Sequence, residues 1–162
     1  MPKKRPTVGL AMIVKDDVDD DLRTCLQSIA PHIDQIVLLG TAPKGNSVRE
    51  VGPQFEAEVY HNDLWYDPAT KSISDFAGPR NYAHQFLNPK LDWWLWADHD
   101  DEILGGEGLK AYLATLHEDI GGVWCPYIYS RDEYGNPTTV HYRERILRSN
   151  IGWKWQGRLH ET

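Results

Sequence analysis

A chain of 162 residues with 41% apolar and 25% charged residues has the length and composition of one soluble globular domain with a core of its own. Its net charge of −7 argues against a partner held through nucleic-acid phosphates, which needs a basic face, and suits a site that recruits divalent cations. No segment reaches the length of a membrane span, and Cys25 and Cys125 lie too far apart for metal-ligand spacing, so reduced cytosolic thiols are expected.

A basic start and a short apolar run imitate a signal peptide. The run lacks a small-residue cleavage site and ends in Lys15-Asp16-Asp17, so a cytoplasmic location is the expectation. Thr7 to Val14 is continuously apolar and reads as a first buried strand. Asp17, Asp19 and Asp20 are candidate caps for a helix over Asp20 to Ala30, in which Leu22, Cys25, Leu26 and Ile29 recur at helical spacing and which Pro31 ends. Gln35 to Leu39 is a second strand, Gly40 to Ser47 a loop of turn formers, Val48 to Phe55 a weak helix and Ala57 to Tyr60 a third strand. This alternation predicts parallel strands with right-handed crossovers.

Residues 61–74 form a longer polar loop around Trp65-Tyr66-Asp67-Pro68, a length that often marks function. A helix is expected over Asp75 to Leu87, with Phe76, Tyr82, Ala83 and Phe86 as its stripe and Pro79 in its first turn. Arg80 and Asn81 would then lie at a helix N-terminus, where free N–H groups and the dipole attract phosphate. A surface salt bridge to Asp75 is the competing reading of Arg80.

Next comes Trp93-Trp94-Leu95-Trp96-Ala97-Asp98-His99-Asp100-Asp101, an apolar run bounded by Asn88-Pro89 and Gly105-Gly106. It reads as a central buried strand whose carboxyl end carries Asp98 and Asp100, where an open α/β sheet puts its ligands. Carboxylates one residue apart can share a hard cation such as Mg²⁺ or Mn²⁺ that keeps sites open for phosphate oxygens. The alternative is a solvated acidic turn. Asp17-Val18-Asp19 has the same spacing but sits at a polar helix start, so placement after a buried strand separates the two. Leu109, Tyr112, Leu113 and Leu116 mark another helix, Val123 to Ser130 a strand and Thr138 to Leu147 its antiparallel partner, with Ile151 to Arg158 as a further short strand. The expected fold is a three-layer α/β domain, Rossmann-like, with a mixed, mostly parallel central sheet.

Four blocks together resemble family 2 of the glycosyltransferases, in its short bacterial and phage branch with a GT-A fold. They are Leu10 to Asp17, Asp75 to Asn81, Trp93 to Asp101, and Arg145-Ile146-Leu147-Arg148 running on to Gly157-Arg158-Leu159-His160-Glu161. The resemblance spans nearly the whole chain and implies a single nucleotide-sugar-binding domain over residues 1–162. It implies transfer of a sugar from a nucleotide-diphosphate donor to an acceptor (protein, glycan or lipid) with Mg²⁺ or Mn²⁺. It also implies that Ile13, Val14 and Lys15 lie against the base, that Asp98 meets ribose and metal, and that Asp100 meets metal. Arg80 and Asn81 are the donor-site candidates from the helix start, and the resemblance implies a late acidic base and a late metal-binding His, for which Glu161 and His160 are the candidates, catalytic and metal-ligating respectively. The family pattern carries a nucleoside-holding Asp after the second strand; Gly40 stands there, and Thr41, opening the replacement loop Thr41 to Asn46, is the donor-binding candidate. Thr162 follows directly on the last motif, which reads as a minimal or truncated member.

The chemistry asks for these residue types independently. Charge developing on a diphosphate leaving group needs a cation, and the attacking hydroxyl must lose its proton to a carboxylate in reach. Attack opposite the leaving group inverts the anomeric carbon. Trp65, Trp153 and Trp155 are candidates to stack on sugar faces, with core packing as the competing reading. Two other classes fit the same residues: a phosphohydrolase using Asp98, Asp100 and Asp101, and a non-catalytic nucleotide- or carbohydrate-binding domain.

Overall fold

The computed structural model describes residues 5–157. In chain order its elements are β1 (Val8–Val14), α1 (Asp19–Ile29), β2 (Gln35–Gly40), α2 (Asn46–Val51), β3 (Glu58–His61), β4 (Tyr66–Asp67), β5 (Ser72–Ile73), α3 (Ala77–His84), β6 (Trp93–Trp96), α4 (Leu109–Thr115), β7 (Gly122–Arg131) and β8 (Pro137–Arg148). A six-stranded sheet runs in the order β3-β2-β1-β6-β8-β7. The pairs β1–β2, β1–β6 and β2–β3 are parallel, whereas β6–β8 and β7–β8 are antiparallel. The sheet is therefore mixed and mostly parallel, and the fold is an α/β, Rossmann-like one.

Alternation along β1 explains the layers. Val8, Leu10, Met12 and Val14 point to one face, where they meet Leu22, Cys25, Leu26 and Ile29 of α1, Val48 and Val51 of α2 and Leu113 of α4. Ala11 and Ile13 point to the other, where they meet Ala77 and Ala83 of α3, Leu87, Trp94, Trp96 and Trp155. A strand flanked by strands and covered on both faces has no polar side, which is why β1, most of β2 and β6 read as unbroken apolar runs. No helix among the described residues is long and apolar enough to cross a membrane.

Several expectations change. The helix starting near residue 20 carries no aspartate side-chain cap: Val18 takes the N-cap position, its N–H donates to Ser47 Oγ at 3.1 Å, and Ser47 Oγ donates to Asp19 at 2.5 Å. Tertiary contact with the start of α2 has replaced a local cap. Asp19, Asp20 and Asp21 still favour the helix through its dipole. The loop over residues 61–74 contains the antiparallel pair β4–β5. Tyr112, expected on the buried stripe of α4, is exposed, and Leu113 is that helix's buried residue.

The strand expected over residues 151–158 is absent among the described residues, where a short 3-10 turn, Ser149–Ile151, is followed by irregular chain. Asn81 supplies the reason. Its Nδ2 donates to the carbonyl of Trp155 at 2.9 Å, and its Oδ1 accepts the N–H of Trp155 at 3.0 Å. One side-chain amide thus answers both main-chain groups that a neighbouring strand would otherwise satisfy. Trp155 is held against Trp94 and Trp96, with ring centroids 5.1 and 6.2 Å away.

Candidate active site at the carboxyl ends of the parallel strands

From β1 the chain passes to β2 on one side, while β6 pairs on the other side. The crevice between the carboxyl ends of β1 and β6 is therefore the switch point of the sheet, where open α/β folds bind their ligands. Val14 ends β1 on one side of it, with Lys15 next in the chain, and Trp96 ends β6 on the other, followed by Ala97 and Asp98. Ile13 and Val14 are buried, and Lys15 is exposed.

Asp98 is the hub. Its Oδ1 accepts from Arg80 Nη2 at 2.9 Å, and its Oδ2 lies 3.6 Å from Arg145 Nη2. Arg145 also meets Asp101 Oδ2 at 3.2 Å. That same Asp101 oxygen accepts the N–H of Asp98 at 2.9 Å, while the Asp101 N–H donates to the Asp98 carbonyl at 3.0 Å. The turn after β6 is thus closed on itself. Asp100 at its outer side is exposed.

The two guanidiniums are positioned by Trp96. Arg80 lies 4.1 Å from its ring centroid and Arg145 4.0 Å, with Tyr127 also beneath Arg145 at 5.0 Å. Flat, weakly hydrated guanidiniums tolerate such stacking while pairing with carboxylates at their edges. Burial pulls the Arg80 pKa down, and Asp98 opposes that pull. Burial raises the Asp101 pKa, and Arg145 opposes the rise. Cys25, whose Sγ donates to the Asp98 carbonyl at 3.5 Å, is pushed up to about 12 by burial first and then by Asp101, Asp100 and Asp98. A thiol so held is no nucleophile.

Arg80 reaches the site differently from the expectation. The helix begins at Ala77, so Arg80 is already inside it and its backbone N–H donates to the Phe76 carbonyl at 3.2 Å. Its main-chain donor is engaged; its side chain carries the positive charge to Asp98. The amide of Asn81 is engaged by Trp155.

Arg145 carried no assigned role in the sequence, although it opens the fourth block. In the β7–β8 ladder Val123 pairs with Ile146 and Trp124 with Glu144, so Arg145 is the extra residue of a bulge. A bulge beside a site re-aims one side chain, and no local pattern announces it. Arg145 Nη1 is buried without a hydrogen-bond partner.

The loop after β2 is closed. Thr41, 3% exposed, donates from both its N–H and its hydroxyl to the Val14 carbonyl, at 2.9 and 3.2 Å. Asp16 accepts the N–H groups of Lys44 and Asn46 at 3.3 and 2.7 Å, and His61 Nε2 lies 2.7 Å from the Ala42 carbonyl. A Cβ on Gly40 would stand 2.9 Å from Val48 Cγ2 and 3.2 Å from the Gly45 backbone. Gly45 itself, at φ +58°, packs against the His61 ring. The space that the sequence resemblance gave to a nucleoside-holding Asp is thus filled by this chain's own loop. Gly40→Asp is expected to overpack it and cost about 1–3 kcal/mol, lowering the melting temperature by roughly 2–4 °C per kcal/mol. A thermal melt checks this; an unchanged or raised melting temperature would show that the loop opens readily.

His160 and Glu161 lie outside the described residues. Among the described residues no group of three His, Cys, Asp or Glu side chains is arranged to hold a metal ion. Two carboxylates suffice for Mg²⁺ or Mn²⁺ when substrate phosphates and water complete the shell, and each carboxylate oxygen keeps more than one lone pair. Asp98, Asp100 and Asp101 outnumber Arg80 and Arg145, and the remaining negative charge fits a divalent cation. Asp98 and Asp100 are hard oxygen donors of the kind such ions take.

No protein family and no curated protein matches the sequence. Among solved structures the chain is similar to 4-diphosphocytidyl-2C-methyl-D-erythritol synthase, with a TM-score of 0.54 and 13% identity over 90% of this chain and 76% of that one. A second similarity, to mannosyl-3-phosphoglycerate synthase from Rubrobacter xylanophilus, has a TM-score of 0.45 and 19% identity over 61% of this chain. The match spans 32% of the length of that second protein. The first likeness is one of fold: this chain shares the α/β architecture of that synthase.

Proposed function

We propose that the chain is a glycosyltransferase that moves a sugar, with inversion, from a nucleotide-diphosphate donor to an acceptor hydroxyl. The observation that carries this reading is Asp98, fixed between Arg80 and Arg145 at the switch point of the parallel strands. Mg²⁺ or Mn²⁺, held by Asp98 and Asp100 with His160 as a further ligand, would neutralise charge on the leaving diphosphate. Arg80 and Arg145 supply fixed positive charge beside the same position, already oriented by Trp96. Ile13, Val14 and Lys15 flank the nucleotide from β1, and Glu161 takes the acceptor proton. The fold similarity adds support, since the synthase sharing the fold is named for a diphosphocytidyl compound.

The test is a thermal-shift panel of nucleotide-diphosphate sugars with and without Mn²⁺. A donor at about 100 times its Kd should stabilise the native state by about 2.7 kcal/mol, a rise of roughly 5–10 °C for a domain of this size. Asp98→Asn and Asp100→Asn should each remove most of the Mn²⁺-dependent rise. Asp19→Asn, engaged with Ser47 at the start of α1, should keep it. Equal losses in all three would reduce the effect to bulk acidity. Release of nucleotide diphosphate that no acceptor accelerates would favour hydrolysis over transfer.

A further inference from the structure

We propose that a tryptophan-lined pocket beside the Asp98 cluster is a pyranose-binding subsite, and that the acceptor is a carbohydrate seated there. The acceptor role rests on the transferase reading; the binding of a sugar ring does not. The pocket has a volume of about 280 Å³, near the lower end of ligand sites, about 300 Å³, and so of monosaccharide size. Its floor is Trp94, Trp96 and Trp155, each buried. Its lip is Trp124 and Trp153, 62% and 40% exposed.

Core packing accounts for the floor and not for the lip. Indoles left open to water at the mouth of one cavity are the kind of exposed apolar surface that marks a binding site. Two of the pocket's rings are anchored through their N–H groups. Trp96 Nε1 donates to the Glu144 carbonyl at 2.7 Å, and Trp153 Nε1 donates to the Gly121 carbonyl at 3.3 Å. With those edges engaged on the main chain, what the rings offer a ligand is apolar surface.

The pocket surface is mostly apolar, with Glu144 and Lys154 as its charged lining residues. A pyranose has a C–H face for the indoles and a ring of hydroxyls that can donate to a carboxylate and accept from an ammonium. The pocket adjoins the Asp98 cluster. Trp96 is the shared wall, with the pocket against it and Arg80 and Arg145 within 4.1 Å of its centroid. A sugar bound here sits one indole from the charge cluster assigned to the donor.

The experiment is saturation-transfer NMR of the full chain with methyl α- and β-pyranosides of glucose, galactose, mannose and N-acetylglucosamine at millimolar concentration. At least one should receive transfer at its C–H protons. Trp124→Ala and Trp153→Ala should each weaken it tenfold or more while thermal melts show both variants folded. Tyr134→Ala, an exposed ring that does not line the pocket, should leave it unchanged. No binding by any pyranoside, or binding equal in both tryptophan variants, overturns the subsite. Nucleotide-diphosphate sugars titrated into the same samples separate the two readings. Pyranoside binding without donor binding would sink the transferase and leave the subsite standing; donor binding without pyranoside binding would do the reverse.

Discussion

Trp94→Ala is expected to remove about 3–5 kcal/mol of stability, a large share of the roughly 5–15 kcal/mol that holds a domain of this kind. Trp94 is 1% exposed in a strand paired with β1 on one side and β8 on the other. Its ring lies 4.4 Å from His84 and 5.1 Å from Trp155, so its loss opens a cavity between α3 and the C-terminal segment that neither neighbour can fill by rotation alone. Trp124→Ala provides the control. That ring is 62% exposed, and its removal should change stability by no more than about 0.5 kcal/mol. Urea unfolding of both variants, read at constant slope, tests the pair. A Trp94 variant within 1 kcal/mol of the parent, by the order of magnitude expected for a surface change, would mean that the second hydrophobic layer is far looser than its burial indicates.

The other large effect concerns the last residues of the chain. If Glu161 is the acceptor's base, Glu161→Gln should slow turnover by about 10²–10⁴ with donor binding nearly intact, because the amide keeps shape while losing basicity. His160→Ala should instead weaken Mn²⁺-dependent donor binding, since neutral imidazole is a good ligand for such ions. Donor titration beside a turnover assay separates the two roles. Normal donor binding by His160→Ala, with parent-rate turnover by Glu161→Gln, would move the search for the base to Asp132 or Glu133. Asp132 is committed elsewhere: its carboxylate closes the β7–β8 turn through the N–H groups of Tyr134 and Asn136, at 2.9 and 2.8 Å, and the Asn136 side chain holds its pKa down.

Much of the fold was written in local patterns. The apolar runs at residues 7–14, 35–39 and 93–97 became the parallel trio β2-β1-β6, because strands buried on both faces have no polar side to interrupt the run. The helical spacing of Leu22, Cys25, Leu26 and Ile29 placed α1 on the sheet. Asp98 was legible for a related reason: a carboxylate directly after a buried parallel strand stands at the sheet's ligand-binding edge wherever that strand lies beside the switch point.

The tertiary structure decided who shares the site with Asp98. Arg145 arrives through a bulge in β8, and its pairing depends on the register of β8 against β6, which apolar alternation leaves open. Arg80 contributes its side chain rather than a helix-end N–H, because its N–H already donates to the Phe76 carbonyl in the first turn of α3. The strand expected after residue 151 fails because Asn81, far away in sequence, takes the main-chain groups that strand pairing would use. Gly40 needed three dimensions as well: its lack of a side chain reads as a missing aspartate in one dimension, and as space already occupied by Val48 and Gly45 in three. Local propensity sets which segments become strands and helices. Long-range ion pairs and close packing are pairwise facts, and they exist only once the sheet has chosen its register.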